Sequence, residues 1–324
     1  MSLPDNVVRK LIVCIILSAA FYGAWAVFGG VDEVLAAAGS IGWIGWGIIL
    51  GLSLFNYLLR FLRWDYYLRH LDCRVPPGVN MSAYLAGFGF TTTPGKVGEA
   101  IRSIYLKPYG VSYKQSLAAF FVERFSDMLA MIVVASLAAY AFADMRWLVG
   151  VTLIITLAFV PLVHSRRLPA WLEQRAAKAD SEKIADGLRH LVATLASSSQ
   201  LLRSVPLYGG LLIGLIAWFA EGYALYVVLD RMGAEVPILL AAGIYGISII
   251  AGVVSFVPGG LGGTELVMGS LLVLSGVDAP LAVSAVIICR VATLWFAVAI
   301  GLVFLTGLEW QRASGTLVQQ DVNE

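Results

Sequence analysis

The chain has 324 residues, 59% hydrophobic and 13% charged, with a formal net charge of +1 and a mean hydropathy of +0.83. Soluble domains are about 45–50% apolar and about 25% charged, so a soluble globular fold, a disordered chain and a disulfide framework are excluded. An all-α polytopic membrane protein is expected.

About 20 mainly apolar residues cross the hydrocarbon core as a helix. In chain order, full spans are predicted at 10–29, 41–62, 115–143, 146–163, 207–229 and 280–306. The first lacks a small-residue cleavage site after its apolar core and is read as a retained span, not a signal peptide. Two further apolar pieces, 81–106 and 237–276, are interrupted at Thr93-Pro94-Gly95 and at Val257-Pro258-Gly259-Gly260. The stretch 164–206 is the one sizeable polar segment. Its Ile184, Leu188, Leu191 and Leu195 recur at helical spacing beside Lys183 and Arg189, which reads as an amphipathic cytoplasmic connector on the anionic leaflet. A tail, 307–324, follows the last span.

Lys and Arg concentrate before the first span, between Arg60 and Lys114 and between Arg166 and Arg203, whereas 30–40, 144–146 and 230–236 hold only Arg146 and Arg231. The positive-inside rule then puts both termini in the cytoplasm. Six full spans alternate consistently if both broken pieces enter and leave on the same side, as two re-entrant helical hairpins. Length alone leaves 237–257 open to a spanning reading.

The two halves repeat one another. Pro94, Glu99, Gly110-Val111 and Arg124 in the first correspond to Pro258, Glu265, Gly276-Val277 and Arg290 in the second. Within one membrane domain, 1–143 and 146–306 each read as span, span, re-entrant hairpin, span, with opposite topology. Inverted repeats with broken helices are a transporter architecture, and non-helical backbone at membrane depth requires protein or a watery cavity to satisfy it.

Glu99, Glu123, Arg124, Asp127, Glu221, Glu265 and Arg290 lie in or beside apolar segments. An unpaired charge at a helix centre costs about 2.5–3.5 kcal/mol on insertion scales, so Arg290 is expected to pair with Glu265, and by the repeat Arg124 with Glu99. These pairs either brace each hairpin against its following helix or also meet a substrate anion, for which the planar guanidinium fork is suited. The helix expected after Pro94 would direct its N-terminus into the membrane, with Lys96 and Thr93 on the same turn. Arg60, Arg63 and Trp64 read as an ordinary interfacial belt, or as a vestibule in which Arg60 collects headgroups. Glu123 and Asp127 would form a proton-relay or cation site, with Glu221 a further coupling group and Pro94, Gly95, Pro258, Gly259 and Gly260 as gating positions. Gly42, Gly45, Gly47 and Gly51 offer a close-packing face within the molecule or in a homodimer. Cys14, Cys73, Cys289 and three scattered histidines suggest no metal site and no cofactor. There is no GxSxG, HExxH or Walker A motif, so no catalytic activity is expected.

The stretches Thr92-Thr93-Pro94-Gly95-Lys96-Val97-Gly98-Glu99, Phe121-Val122-Glu123-Arg124-Phe125-Ser126-Asp127 and Phe256-Val257-Pro258-Gly259-Gly260-Leu261-Gly262 resemble the transmembrane region of lysylphosphatidylglycerol synthases, over nearly the whole chain. In the fused enzymes that region is taken to translocate a lipid made by a separate aminoacyltransferase domain. No such domain follows the last span here, so the resemblance implies a stand-alone flippase-like member. The combined expectation is a flippase or scramblase of the prokaryotic cytoplasmic membrane. Its cargo would be a phospholipid or polyprenyl-phosphate-linked glycolipid, with the anionic headgroup held between the hairpins. The expected partners are membrane lipids and a lipid-modifying enzyme or glycosyltransferase, not nucleic acid. The alternatives are a transporter of a small anionic or ion-coupled solute, and a lipid-presenting subunit of an envelope enzyme.

Overall fold

A computed structural model describes residues 5–140, 150–151, 154, 167–177, 192, 198, 200–202, 204–255 and 257–314. Among these residues every regular element is helical, the form in which a chain in lipid satisfies its own backbone groups. Helices α1 (Asp5–Gly29), α2 (Val31–Ser40), α3 (Gly42–His70) and α4 (Pro77–Phe88) lead into a 3-10 turn, Pro94–Ile101, and the short α5 (Arg102–Leu106). Then come α6 (Tyr113–Ser136), α7 (Arg167–Ala177), α8 (Ser204–Arg231) and α9 (Ile238–Val254). A second 3-10 turn, Pro258–Gly260, precedes α10 (Gly263–Leu274) and α11 (Ala279–Arg290), which continues through a π-helical turn, Val291–Trp295, into α12 (Phe296–Ala313).

Several boundaries differ from those predicted. Within 30–40, read as an outer connection, Val31–Ser40 form α2, which follows Gly30 at φ +83°. Helix α3 runs to His70 rather than ending near 62, so Arg60 and Arg63 lie inside it. Among the described residues three helices are long and apolar enough to cross a membrane: Gly42–His70, Val205–Arg231 and Ala279–Ala313. Helix α6 has the length but carries Glu123, Arg124 and Asp127 midway, and the apolar stretch of α1 is Leu11–Ala20. Most of the predicted span 146–163, most of the connector 164–206 and the tail beyond 314 lie outside the described residues. The described piece α7 buries Leu172 beside Phe121.

The halves are punctuated alike. Helix α3 ends with the Cys73 N–H bonded to the Leu68 carbonyl at 3.0 Å, and α8 with Ala234 N–H on Leu229 at 2.9 Å. The residues between, Asp72 and Gly233, sit at φ +58° and +79°. Each turn is followed by Val-Pro, at 75–76 and 236–237, and proline cannot extend the preceding helix. Later, Val111 N–H meets the Leu106 carbonyl at 3.4 Å and Val277 N–H meets Leu272 at 3.1 Å, across Gly110 and Gly276 at φ +81° and +90°. All four are left-handed helix ends closed by a six-to-one bond.

Helix α8 packs along α3, α6 and α9, while α12 packs on α4. One apolar core surrounds α8, α9 and α11; the other, rich in aromatic rings, surrounds α3, α4 and α12. Glycines set the closest approaches, as expected where van der Waals packing holds helices together: a methyl group on Gly301 of α12 would fall 2.0 Å from the Gly89 nitrogen. The two 3-10 turns touch one another. This brings the interruptions of both halves together, with a methyl on Gly259 3.8 Å from Thr92 Cα.

Candidate functional site

Arg290 ends α11 and is buried. Its Nε lies 2.8 Å from Glu265 Oε1 and 2.9 Å from the Tyr22 hydroxyl, and its Nη2 donates to the Gly259 carbonyl at 2.6 Å. Glu265 accepts the Gly262 N–H at 2.8 Å and the Tyr22 O–H. Residues of α1, α10, α11 and the second 3-10 turn therefore converge on one ion pair. Glu265 also caps the first turn of α10, so the Gly262 N–H is already taken.

Arg124 of α6 sits in a larger network. Its Nη2 lies 2.9 Å from Glu123 Oε1, 3.2 Å from Asp127 Oδ2 and 3.6 Å from Glu99 Oε2. Arg102 holds Glu123 Oε2 at 2.6 Å, and Arg63 holds Asp127 Oδ1 at 2.5 Å. Arg60 Nη2 stands 3.8–4.0 Å from Glu123 Oε1, Asp127 Oδ2 and Glu99 Oε2. Neutral donors complete the shell: Tyr84 O–H to Glu123 at 2.7 Å, Trp218 Nε1–H to Asp127 at 2.8 Å, and Thr91 O–H to Glu99 at 3.2 Å. Aromatic faces cover the guanidinium groups, with Arg102 3.8 Å from the Trp64 ring and Arg60 5.2 Å from both Phe88 and Trp218. Within this ion-paired set four arginines face three carboxylates, a positive excess of one.

Arg124 and Arg290 line the same cavity, of about 390 Å³. Asp127, Trp218, Thr93 and Thr264 add its other polar groups, and the remaining wall is largely apolar. Met128, Val253 and Val254 line the cavity and are 49%, 50% and 62% exposed, so it opens on the outer apolar surface beside α6 and α9.

The sequence-predicted residues do not all share one place. Arg124, Asp127, Thr93, Gly259, Gly260 and Arg290 reach the cavity wall. Glu99, Glu123, Glu265 and Arg60 stand behind it, buried, holding those residues or one another. Glu221 is elsewhere, bonded by the Tyr245 hydroxyl. The side chains of Pro94 and Lys96 lie outside the described residues; the backbone from Pro94 through Gly95 and Lys96 forms a 3-10 turn, not the first turn of an α-helix, so the expected α-helix N-terminus is not at Pro94. Pro258 opens the second turn.

The belt reading of Arg60, Arg63 and Trp64 does not hold: all three are buried within α3, Arg60 and Arg63 facing the carboxylates of α6 and Trp64 donating to Asn80 of α4 at 3.0 Å. Sequence reasoning also missed Arg102 and Tyr22. The signal for Arg63 is Gly214 on α8, where a methyl group would fall 2.6 Å from Arg63 Nη1. Among the described residues no cluster of His, Cys, Asp or Glu is placed to hold a metal ion.

A family model described as the lysylphosphatidylglycerol synthase transmembrane region matches residues 10–301. The chain is 24% identical over 296 residues to a UPF0104 membrane protein of Methanothermobacter thermautotrophicus, covering 85% of this chain and 86% of that one. It is 24% identical over 289 residues to a UPF0104 membrane protein of Pyrococcus horikoshii, covering 78% and 84%. The family match runs from before Tyr22 to beyond Arg290, and so includes both charged clusters.

Proposed function

We propose, from the premise that this chain belongs to the lysylphosphatidylglycerol synthase transmembrane-region family, that it is a flippase or scramblase for a lipid with an anionic headgroup. The observation that carries this reading is that Arg124 and Arg290, each paired with the glutamate of its own half, open on one cavity with an apolar mouth. A phosphate-bearing headgroup matches the two guanidinium forks. Exposed Met128, Val253 and Val254 at the mouth suit acyl or prenyl chains that stay in the bilayer, and they offer nothing to a hydrated small anion. Glu99 and Glu265 would hold the arginines until the headgroup arrives.

Helices α4 and α9, with 12 and 17 residues, measure ~18 and ~25 Å at about 1.5 Å per residue, short of a hydrocarbon core of about 30 Å. They serve as first limbs of two re-entrant hairpins in inverted repeats, and rocking of one repeat against the other alternates access. The setting is the cytoplasmic membrane, with both termini inside; the protein performs no covalent chemistry.

The test is purified protein in vesicles carrying trace fluorescent phosphatidylglycerol, bleached from outside with dithionite. Wild type should expose the inner-leaflet label, and folded Arg124→Gln/Arg290→Gln should bleach only the outer leaflet. Equal transport by the folded double variant, or none by wild type with phosphatidylglycerol, phosphatidic acid and a polyprenyl phosphate, overturns the proposal.

A further inference from the structure

Arg60 and Arg124 aim the same atom, Nη2, at the same three oxygens: Glu99 Oε2, Glu123 Oε1 and Asp127 Oδ2. Arg124 is the nearer, at 2.9–3.6 Å, and is on the cavity wall. Arg60 waits at 3.8–4.0 Å, behind it. Its Nε and Nη2 are buried without a hydrogen-bond partner, and so are Glu99 Oε2 and Asp127 Oδ2. The other two arginines are already bonded elsewhere: Arg102 to Glu123 Oε2 at 2.6 Å, and Arg63 to Asp127 Oδ1 at 2.5 Å, from which it faces only one of the three oxygens, Glu123 Oε1, at 3.8 Å.

We propose that Arg60 is a positioning residue that replaces Arg124 in the three-oxygen cradle when Arg124 turns to an anionic headgroup. The inference rests on the anion-binding reading above and adds what lets it happen. An arginine that leaves three carboxylates in a water-poor interior strands their charge, and a stranded buried charge opposes the motion. Arg60 needs to advance only about an ångström to reach hydrogen-bond distance of oxygens it already faces. The space between Phe88 and Trp218, whose rings flank it at 5.2 Å each, keeps its guanidinium charged and oriented without fixing it by a bond. Headgroup capture thus becomes an exchange of one cation for another, with the cradle neutralised at both ends of the stroke. The second half does this differently: there Tyr22 hydrogen-bonds both Glu265 and Arg290, and no second arginine is ion-paired to Glu265 among the described residues.

The test measures thermal unfolding of detergent-purified protein, alone and with phosphatidylglycerol, phosphatidylcholine or inorganic phosphate added. Wild type should be stabilised by phosphatidylglycerol, and a matching shift with inorganic phosphate would mark a headgroup-sized anion as sufficient. Arg60→Gln should unfold alone at a temperature closer to wild type than Arg63→Gln or Arg102→Gln, whose partners are bonded in the resting state. Its apparent affinity for phosphatidylglycerol should fall by about tenfold or more, the size of coupling within one ion-pair network. Arg60→Gln/Glu99→Gln, with one carboxylate fewer to neutralise, should recover most of that affinity and keeps the test open if Arg60→Gln does not fold. An Arg60→Gln protein that loses as much resting stability as Arg63→Gln and keeps the lipid shift makes Arg60 a brace and overturns the exchange alone. A double variant that binds no better than Arg60→Gln does the same. A wild type indifferent to both anions overturns the anion reading and the exchange with it.

Discussion

The carbonyl oxygen of Gly259 accepts a 2.6 Å hydrogen bond from Arg290 Nη2, so the residue that interrupts the second hairpin also fixes one arm of the buried guanidinium. Within a regular helix that carbonyl would be met by an amide four residues on. The interruption frees it, and a freed carbonyl away from water needs a partner. The break and the charge each satisfy the other's requirement.

Replacing Arg290 by Gln leaves Glu265 buried against Tyr22 and the Gly262 amide alone. The expected cost is ~3–5 kcal/mol, the usual penalty for removing one partner of a buried pair. Arg290→Gln/Glu265→Gln should recover much of that stability in a detergent unfolding experiment while transport stays absent. Recovery of both together would make the pair a brace with no part in cargo binding.

Three glycines should respond differently to alanine. Gly301→Ala meets backbone, with Gly89 N at 2.0 Å and the Phe88 carbonyl carbon at 2.5 Å, and should destabilise by about 1–3 kcal/mol or more through forced separation of α12 from α4. Gly214→Ala meets the tip of Arg63 at 2.6 Å; that side chain can retreat, so the loss should be smaller and coupled to Asp127→Asn in a double-mutant cycle. Gly307→Ala meets nothing within 4 Å, and should be neutral or stabilise by up to about 1 kcal/mol through helix propensity. Thermal unfolding of the three side by side tests the order.

Tyr22→Phe removes the hydroxyl that α1 contributes to the Glu265–Arg290 pair. The expected loss is about 1–3 kcal/mol, as for a charged group deprived of one buried hydrogen bond. It should also raise the susceptibility of α1 to proteolysis in the detergent-solubilised protein. A variant equal to wild type in both respects would show that α1 is held by its apolar contacts alone.

Cys73 follows α3, outside the long apolar helices. Burial, and then the neighbouring Asp72 carboxylate, push its thiol above the ordinary value. A raised thiol pKa means less thiolate at neutral pH, so maleimide labelling in a Cys14→Ser/Cys289→Ser background should be slow at pH 7 and rise steeply towards pH 9. Asp72→Asn should speed labelling at pH 7 by less than about tenfold, one pKa unit being the tenfold mark and burial the larger cause. Labelling at wild-type rate in Asp72→Asn would place the whole effect in access to the thiol.

Much of the second half's site was legible because its partners are near in sequence: Glu265 and Arg290 are separated by 25 residues, one hairpin limb and one helix. The two Pro-Gly interruptions were visible for the same reason, since proline and glycine act locally. The first half's network hid its arginines. Hydropathy falls wherever charges gather, so the span predicted to end at 62 continues as α3 to His70. Arg63 finds Asp127 64 residues away, and Tyr22 finds Glu265 across 243; no periodicity reports such distances. The Val-Pro pairs at 75–76 and 236–237 were available and would have extended the repeat. What marks them is the helix end before each, with Asp72 and Gly233 left-handed.

The π-helical turn Val291–Trp295 lies between α11, which packs on α2, α8 and α10, and α12, which packs on α4. A π turn holds one residue more than an α turn, and each residue on a helix advances about 100° around its axis. The extra residue therefore sets the azimuth of everything downstream, so that one rod presents Arg290 to the second half and Gly301 to the first. Deleting a single residue from 291–295 would leave Arg290 in place and swing Gly301 about 100° away from Gly89.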